Sequence, residues 1–499
     1  MTPSNYQKDI YNTILTKNSN VAIDAGPGSG KTTTIVEASK LIPYGKRAIF
    51  LAYNKKIVEE LKERLPHTIQ CSTMHSLGAS VLFRSSRRQV QVKPEKQLPF
   101  IINHYQEEID KKKKVWGEIF DIEFTMKLVR ATMTNYKEKE ELDQLFQDHN
   151  IFHGDKEVNR LKLSLDDFYE YNNREWGKMD IDFQDMIELI VRQDIPLPQF
   201  DYVFLDEAQD MSKLDRLFIE KLVKKPLGRL ISVFDEKQTI YGWRGSDMDS
   251  VEYFSNRPNT DRLPLSICYR CPKSHIELAK TIYPGIEPFE KNGEGVLNRE
   301  GNIRDIRPGD MVICRNNKPL VSLYFRLVRR GVPCKIIGKE IEKGLLNMVK
   351  RIEGENLDQG LENLDKIQRN YEKELKNKGI SNLNRNPKWI SFCDKVEVIK
   401  TIARRTDEEG DLVCDSMEDV QSIIVEMFEE KRYGDLVQLL TIHKSKGLEN
   451  DRIFLITHHA GKQLMPSDHA ITEKQKVQER NLMFVAYTRA KKELHFVKL

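Results

Sequence analysis

From residue 21 the sequence reads Val-Ala-Ile-Asp-Ala25-Gly26-Pro27-Gly28-Ser29-Gly30-Lys31-Thr32, with Thr33 next. Small residues let backbone N–H groups turn inward on an anion, and a helix N-terminus behind them adds partial positive charge. A lysine in register reaches the outer phosphates, and a hydroxyl after it can hold Mg2+. That is chemistry for a nucleoside triphosphate. The commonest form of this pattern opens on Gly; Ala25 meets the same need, which is only for smallness. The apolar VAIDA before the loop and the helical TTIVEASKLI after it supply a strand and helix that a bare Gly-rich turn lacks. A second run, Asp201-Tyr-Val-Phe-Leu-Asp206-Glu207, is an apolar strand ending in two acids. Asp206 would hold Mg2+ through water, and Glu207 would orient and deprotonate the attacking water. A lone Asp-Glu pair is usually a solvated strand end. Beside a phosphate loop it completes a hydrolase, with ATP and Mg2+ as the expected cofactors.

Both sites need a sheet to bring them together. Short β-rich runs alternate with helical patterns in two stretches. The first holds VAIDA (21–25), AIFLAY (48–53), DYVFLDEA (201–208) and LISVFD (230–235). The second holds DMVICR (310–315), CKIIG (334–338), VQLLTI (437–442), RIFLITH (452–458), NLMFVAYT (481–488) and ELHFV (493–497). Apolar runs separated by helices predict an α/β protein with two parallel sheets. Each sheet is interrupted by a mostly helical insertion, at 82–198 and at about 345–434.

At 499 residues the chain calls for two or more domains. Its 80 basic residues nearly balance 76 acidic ones, for a net charge of +4, so a nucleic-acid site must be a confined basic groove. No apolar run is long enough to cross a bilayer. The N-terminus has no signal-like stretch, and the seven cysteines are odd in number and scattered, which together predict an intracellular, cytoplasmic protein without a disulfide framework.

Several further segments carry a family likeness: FLAYNKKIVEEL (50–61), STMHSLG (72–78), DFQDM (182–186), DEAQD (206–210), VFDEKQTIYGWRGS (233–246), LPLSICYR (263–270), VQLLTIHKSKGLEN (437–450) and QERNLMFVAYTRAKKEL (478–494). In order and approximate spacing, with the phosphate loop, they resemble the UvrD/Rep-type superfamily 1A DNA helicases over roughly residues 1–345 and 435–499. The resemblance implies two RecA-like P-loop NTPase domains. Residues 1–81 and 199–262 would form the first (1A), with 82–198 as its insertion (1B). Residues 263–344 and 435–499 would form the second (2A), with 345–434 a reduced 2B-like insertion. It also implies roles. Gln7 would read the adenine edge and Tyr269 would stack on the base. Arg270 and Arg489 would reach the γ-phosphate, Gln238 would sense it, and Glu449 would touch the sugar. Tyr53, Tyr241 and Trp243 match positions that stack on bases, and Thr73, His75, Arg244 and His443 match positions near the sugar-phosphate backbone. An isolated Trp is more often core, but Trp243 sits among Gly and polar residues; His75 and His443 are equally readable as structural hydrogen-bonding groups.

The resemblance implies single-stranded DNA and single-strand/duplex junctions as partners, 3′→5′ polarity, a monomer or weak oligomer, and a bacterial or phage-encoded source. Departures matter too. The second insertion is short, and in place of the family's Gly-Ile-Gly-type duplex-contacting loop there is at most Lys378-Gly379-Ile380-Ser381. The chain stops at Leu499, so neither the family's C-terminal extension nor a nuclease domain is expected. A translocase that separates duplex poorly alone, or an ATP-switch subunit of a larger complex, are the alternatives. Intact Glu207, Arg270 and Arg489 count against an inactive switch. Lys111–Lys114 reads as a solvated helical face, while Arg84, Arg87 and Arg88 have the better claim on nucleic acid. Cys268 and Cys271 are spaced C-x-x-C with no second pair at zinc-site spacing; beside Arg270, their oxidation would be felt there.

Overall fold

Near-continuous apolar strands require cover on both faces, and the structure, a computed structural model, provides it. It describes residues 2–499 apart from 53–54, 87–88, 112–114, 150, 152, 175–177, 241–248, 378–382, 384–386, 407–409, 411, 430–434, 469 and 471. The chain divides into two units, residues 1–266 and 267–499. The first contains strands β1 (Asn20–Ala25), β2 (Ala48–Leu51), β3 (Ile69–Ser72), β4 (Gln89–Val92), β5 (Lys178–Ile181), β6 (Tyr202–Leu205), β7 (Arg229–Phe234) and β8 (Thr260–Leu265). Six of these form one sheet in the order β3-β2-β6-β7-β1-β8, every pairing parallel.

Side chains alternate between its faces with the period of two that a pleat imposes. Val21, Ile23, Ala48, Phe50, Phe204, Ile231 and Val233 pack with Ile10, Ile14, Ile35 and Val36 of helices Asn5–Thr16 and Lys31–Ser39. Their strand neighbours Ala22, Ile49, Leu51, Val203, Leu205, Leu230 and Phe234 turn to the opposite core. There they meet Leu77, Ile190 and Phe218 of helices Met74–Ser85, Asp185–Arg192 and Lys213–Leu222. Parallel pairing puts the C-terminal ends of β1, β6 and β7 along one edge, where Ala25, Asp206 and Asp235 leave the sheet.

The first insertion is mostly helical, as its pattern predicts. Helices Gln97–Asn103, Trp116–Thr132, Lys139–His149 and Asp155–Asn172 enclose a separate core of Ile101, Ile119, Met126, Leu161, Leu165 and Phe168, among others. Its start differs from the helical expectation, since Gln-Val-Gln-Val forms β4, paired in parallel with β5. A four-residue β-branched alternation outweighs the helical bias of its surroundings.

The second unit holds β9 (Ile267–Cys268), β10 (Glu287–Pro288), β11 (Val296–Gly301), β12 (Met311–Cys314), β13 (Cys334–Ile336), β14 (Val437–Thr441), β15 (Asn450–His459), β16 (Lys462–Gln463) and β17 (Ala490–Lys498). Its main sheet runs β11-β17-β15-β12-β14-β13 in parallel, with β16 antiparallel on the end of β15. One expected strand is corrected: NLMFVAYT lies in the helix Glu473–Tyr487, which opens on a capping box of Thr472 and Gln475. Leu482, Val485 and Ala486 are all buried at helical spacing; so short an apolar run does not by itself tell a strand from a buried helix. Helices Lys339–Val349, Leu357–Asn377, Pro387–Ala403 and Met417–Phe428 account for the second insertion. A small cluster of Leu375, Leu383 and Trp389 is the insertion's own, but most of its buried residues join the core beneath the sheet. Leu345, Val396, Ile399, Ile402, Val420 and Ile424 share one cluster with Val312, Ile336, Leu439 and Phe454. No described helix is long and apolar enough to cross a membrane.

Candidate functional site

At the end of β1 the chain turns through Gly28 (φ 65°) and Gly30 (φ 79°), left-handed positions that glycine occupies without strain. Gly30 caps the helix Lys31–Ser39, and the Ser29 hydroxyl donates to Gly26 O at 2.7 Å, closing the loop on itself. Lys31 Nζ lies 3.4 Å from Ala25 O and 3.3 Å from Asp235 Oδ2 at the end of β7. The Thr32 hydroxyl donates to Asp206 Oδ2 at 3.2 Å. Lysine, hydroxyl and carboxylate, which sequence separates by up to 204 residues, are therefore in direct contact.

Asp206 is buried at the end of β6. Burial first, and the neighbouring Glu207 second, push its pKa up to about 6, against the pull of Lys31. Glu207 takes a left-handed backbone (φ 53°), uncommon for a residue with a Cβ, and its N–H donates to Asp206 Oδ1 at 2.9 Å. Gln238 is buried and donates from Nε2 to Asp235 Oδ2 at 2.6 Å, so one carboxylate oxygen receives both Gln238 and Lys31. Hard oxygen donors from Thr32 and Asp206 fit Mg2+, which takes one or two protein oxygens and completes its shell with phosphates and water. Gln7, in a capping box with Ser4, donates from Nε2 to Thr34 Oγ1 at 2.9 Å, which places its amide beside the loop. Thr33 Oγ1 accepts from Arg64 at 3.1 Å.

Sequence reasoning missed Gln209 and Asp235. Gln209 is fully buried; its Nε2 donates to Glu207 Oε2, and its Oε1 accepts the Asp235 N–H at 3.0 Å. One amide thus ties the acid pair to the residue that holds Lys31. Both lie within motifs already recognised, DEAQD and VFDEKQ, yet nothing in one sequence tells which polar member points inward.

In the second unit, Arg270 and Arg489 both reach Thr488, and Glu449 joins them through Arg270. Arg270 donates from Nε to Glu449 Oε2 at 2.5 Å and from Nη1 to Thr488 O at 3.3 Å. Arg489 is buried, with Nε on Val485 O (2.9 Å), Nη1 on Leu448 O (3.3 Å) and Nη2 on Thr488 Oγ1 (3.3 Å). The Tyr269 ring lies 4.8 Å from that of Phe289.

The residues expected to meet the nucleic-acid strand are less gathered. Thr73 caps the helix Met74–Ser85, its Oγ1 accepting the Ser76 N–H at 3.1 Å. His75, two residues on, is exposed and meets the Phe183 ring edge-on at 6.5 Å. Phe183 is itself 56% exposed, an aromatic in DFQDM that sequence reasoning did not single out. His443 is half-buried in the short helix Ile442–Ser445. Tyr53, Tyr241, Trp243 and Arg244 lie outside the described residues, as do Arg87, Arg88, Lys112–Lys114 and Lys378–Ser381. Lys111 pairs with Glu107 on an exposed helical face, and Arg84 is exposed.

A doubly covered parallel sheet with a phosphate loop after β1, an acid pair after β6 two strands away and oxygen donors for Mg2+ defines a P-loop nucleoside triphosphatase. The family model of the UvrD/REP helicase N-terminal domain matches residues 6–259. The chain belongs to the UvrD/REP helicase family, with the two RecA-like domains and superfamily 1 character that the motifs implied. It is 22% identical to a probable DNA helicase II homolog of Mycoplasma genitalium, over 94% of this chain and 81% of that protein. It is 24% identical to F-box DNA helicase protein 1 of Schizosaccharomyces pombe, over 98% of this chain and 56% of that one. It is also 24% identical to the ATP-dependent DNA helicase PcrA of Staphylococcus epidermidis, over 60% of this chain and 42% of that one. Against the latter two, the chain spans about half the relative's length.

Proposed function

We propose that this chain is an ATP-dependent DNA helicase that moves 3′→5′ along single-stranded DNA and couples hydrolysis to strand separation. The observation that carries this reading is the joining of Lys31, Asp235 and Gln238 beside Thr32 and Asp206 at one sheet edge. Lys31 has two calls on it: an arriving triphosphate offers more negative charge than Asp235 alone, so Lys31 would exchange partner and release Asp235 to Gln238. Thr32 and Asp206 would hold Mg2+, which when bound neutralises phosphate charge. Glu207, its carboxylate positioned by Gln209, would orient the attacking water and accept its proton. Arg270 and Arg489 are assigned to the γ-phosphate, Tyr269, Gln7 and Glu449 to the nucleoside. Arginine suits the task because its planar fork stays charged and contacts several oxygens. A nucleotide that binds the two RecA-like domains better when they are closed shifts them toward closure, and hydrolysis reverses the shift. Tyr53, Tyr241 and Trp243, with Thr73, His75, Arg244 and His443, are assigned to the strand; the exposed Phe183 beside His75 joins them, since stacking tolerates any base.

The second insertion supports a narrower reading as well. Its helices share the sheet's own core, so a translocase with little unwinding alone is the runner-up. One experiment separates these: ATP turnover with and without single-stranded DNA, then unwinding of duplexes carrying a 3′ or a 5′ tail. Strand-stimulated turnover with unwinding from the 3′ tail is the expected result. Stimulation without unwinding selects the translocase, and unwinding only from the 5′ tail reverses the polarity.

A further inference from the structure

Cys268 ends β9, and Cys271 follows three residues later at the entry to helix Lys273–Lys280. The turn between them is held closed. Asn292 Nδ2 donates to Cys268 O and Cys271 O, each at 2.8 Å, and Phe289 N donates to Cys268 O at 3.1 Å. The Cys271 N–H points at Cys268 Sγ from 3.4 Å. Both thiols are fully buried against Ile276, Ala279, Ile286 and Phe484. The Cys271 thiol donates to Thr488 O at 3.4 Å, the same carbonyl that receives Arg270 Nη1 at 3.3 Å. Thr488 also carries the hydroxyl that receives Arg489 Nη2. The pair thus sits on the anchor shared by both arginines.

Cys268 differs from its partner Cys271, whose pKa is pushed well up by contact with Cys268 and by burial, and from Cys71, Cys314, Cys393 and Cys414. The Cys271 thiol, helped by the N–H groups of Cys271 and Arg270, outweighs burial and brings the Cys268 pKa down to about 7. Burial instead pushes Cys71 up to about 11 and Cys314 up to about 12, and raises Cys393 and Cys414.

We propose that Cys268 and Cys271 form a reversible dithiol–disulfide switch, closed by peroxide, that loosens the anchoring of Arg270 and Arg489. Hydrogen peroxide, hardly larger than water, is the oxidant class such a buried pair admits. The Cys268 thiolate attacks one peroxide oxygen and breaks the O–O bond; the leaving hydroxide takes up the thiol's proton as water, and a sulfenic acid remains. Cys271 sulfur then displaces the sulfenic hydroxyl, which leaves as a second water with the Cys271 proton. Two thiols lose two electrons and peroxide gains them. Closing the bond draws Cys271 Sγ toward Cys268 and removes the S–H donor from Thr488 O. Part of the support beneath Arg270 is lost with it. This inference rests on the assignment of Arg270 and Arg489 to the triphosphate.

Trypsin offers a direct readout, because Arg270 lies between the cysteines. Cleavage after Arg262, Arg270 and Lys273 separates residues 263–270 from 271–273 unless a disulfide joins them. The whole chain, with Cys71→Ser and Cys393→Ser to remove the half-exposed thiols, is treated with hydrogen peroxide, then assayed for strand-stimulated ATP turnover and mapped by mass. Linked peptides should appear as kcat falls about tenfold, the worth of about one hydrogen bond to a charged group, and both should reverse with dithiothreitol. Cys268→Ser and Cys271→Ser should each keep untreated turnover and resist peroxide. Inactivation without linked peptides, or linkage without loss of turnover, overturns the proposal. That mapping needs no variant at position 268 or 271, so it decides the matter even if those two fail to fold. A chain inactive before treatment would instead count against the helicase reading, while linked peptides would still report closure of the pair.

Discussion

Asp235 Oδ2 receives Lys31 and Gln238 together, and Gln209 ties Asp235 to Glu207, so the phosphate lysine and the acid pair belong to one buried hydrogen-bond network. Removing Lys31 deletes its positive member. Lys31→Ala should lower kcat by roughly 10²–10³-fold or more, the cost of losing one preorganised charge-stabilising donor. Phosphate release at saturating DNA measures this; turnover near the wild-type rate would remove the loop from the mechanism. Arg489 needs a gentler change. Its donors rest on Val485 O, Leu448 O and Thr488 Oγ1 in a buried setting, so alanine would leave a cavity and unsatisfied carbonyls along with the lost charge. Arg489→Lys keeps the charge and loses the fork. Nucleotide affinity should hold while kcat falls about 10–100-fold, because the contact is assigned mainly to the transition state. Weakened binding of a fluorescent ATP analogue at unchanged kcat would contradict that role.

At the scale of elements, Arg130 is the clearest determinant of how the first insertion is held. It is fully buried and reaches Asp182 (2.6 and 3.0 Å), Asp185 (2.8 Å) and Glu188 (2.5 Å), while Lys96 supports Asp185 at 2.6 Å. Burial raises the Asp182 pKa, but the Arg130 guanidinium more than offsets this and holds it at about 2; Glu188 is lowered likewise. Buried Asp185, crowded by Asp182, stays raised. Arg130→Met should cost about 3–5 kcal/mol near neutral pH by leaving buried carboxylates without their cation. The sign with pH follows. In the wild type, the depressed pKa of Asp182 contributes stability above its unfolded value, and that contribution is lost as pH falls toward about 2. In the variant the carboxylate pKa values rise above the unfolded ones, so its deficit should shrink as pH falls and protons bind. Urea denaturation at several pH values reads both; a deficit that grows on acidification would refute the assignment. Much at this scale was legible. The central strands of both sheets show in sequence because burial on two faces leaves continuous apolar runs, and VAIDA and DYVFLDEA place the phosphate loop and acids at strand ends. The edge strands β3, β8 and β11 do not, being partly exposed and without such a run. NLMFVAYT was not legible as a helix, since burial all round erases the amphipathic stripe. Nor was QVQV as a strand, since four half-polar residues in a polar, helical stretch give little signal and its partner β5 lies far away in sequence. Gln209 was not singled out because half of its role comes from the Asp235 N–H just beyond β7, which its own segment does not reveal.

For the whole molecule, the two insertions differ in the way that matters for motion. The first has its own core, and Arg130 fastens that core to Asp182 and to the helix Asp185–Arg192, whose Met186, Ile187, Leu189 and Ile190 pack in the core of the first sheet. The second contributes Leu357, Leu364, Val396, Val398, Ile399, Ile402, Ala403, Cys414, Met417, Val420, Ile424 and Met427 to the core beneath its sheet. Burying a large apolar side chain is worth about 1.5–3 kcal/mol, so the ten that remain when Ala403 and Cys414 are left out match or exceed the roughly 5–15 kcal/mol net stability of a domain. A lobe that swings free could be cut away without loss of the sheet; this one could not. Replacing residues 357–428 by a flexible linker should therefore unfold the second unit while sparing the first. Limited proteolysis should then yield a stable fragment ending near Ser266, where the first unit closes on β8. ATP binding at the phosphate loop should survive in that fragment, but turnover should not, because Arg270 and Arg489 are assigned to the reaction and both belong to the lost unit. Were the shortened chain to melt at the wild-type temperature and keep strand-stimulated turnover, the second insertion would be a dispensable appendage, and the shared core would not be what holds this unit together.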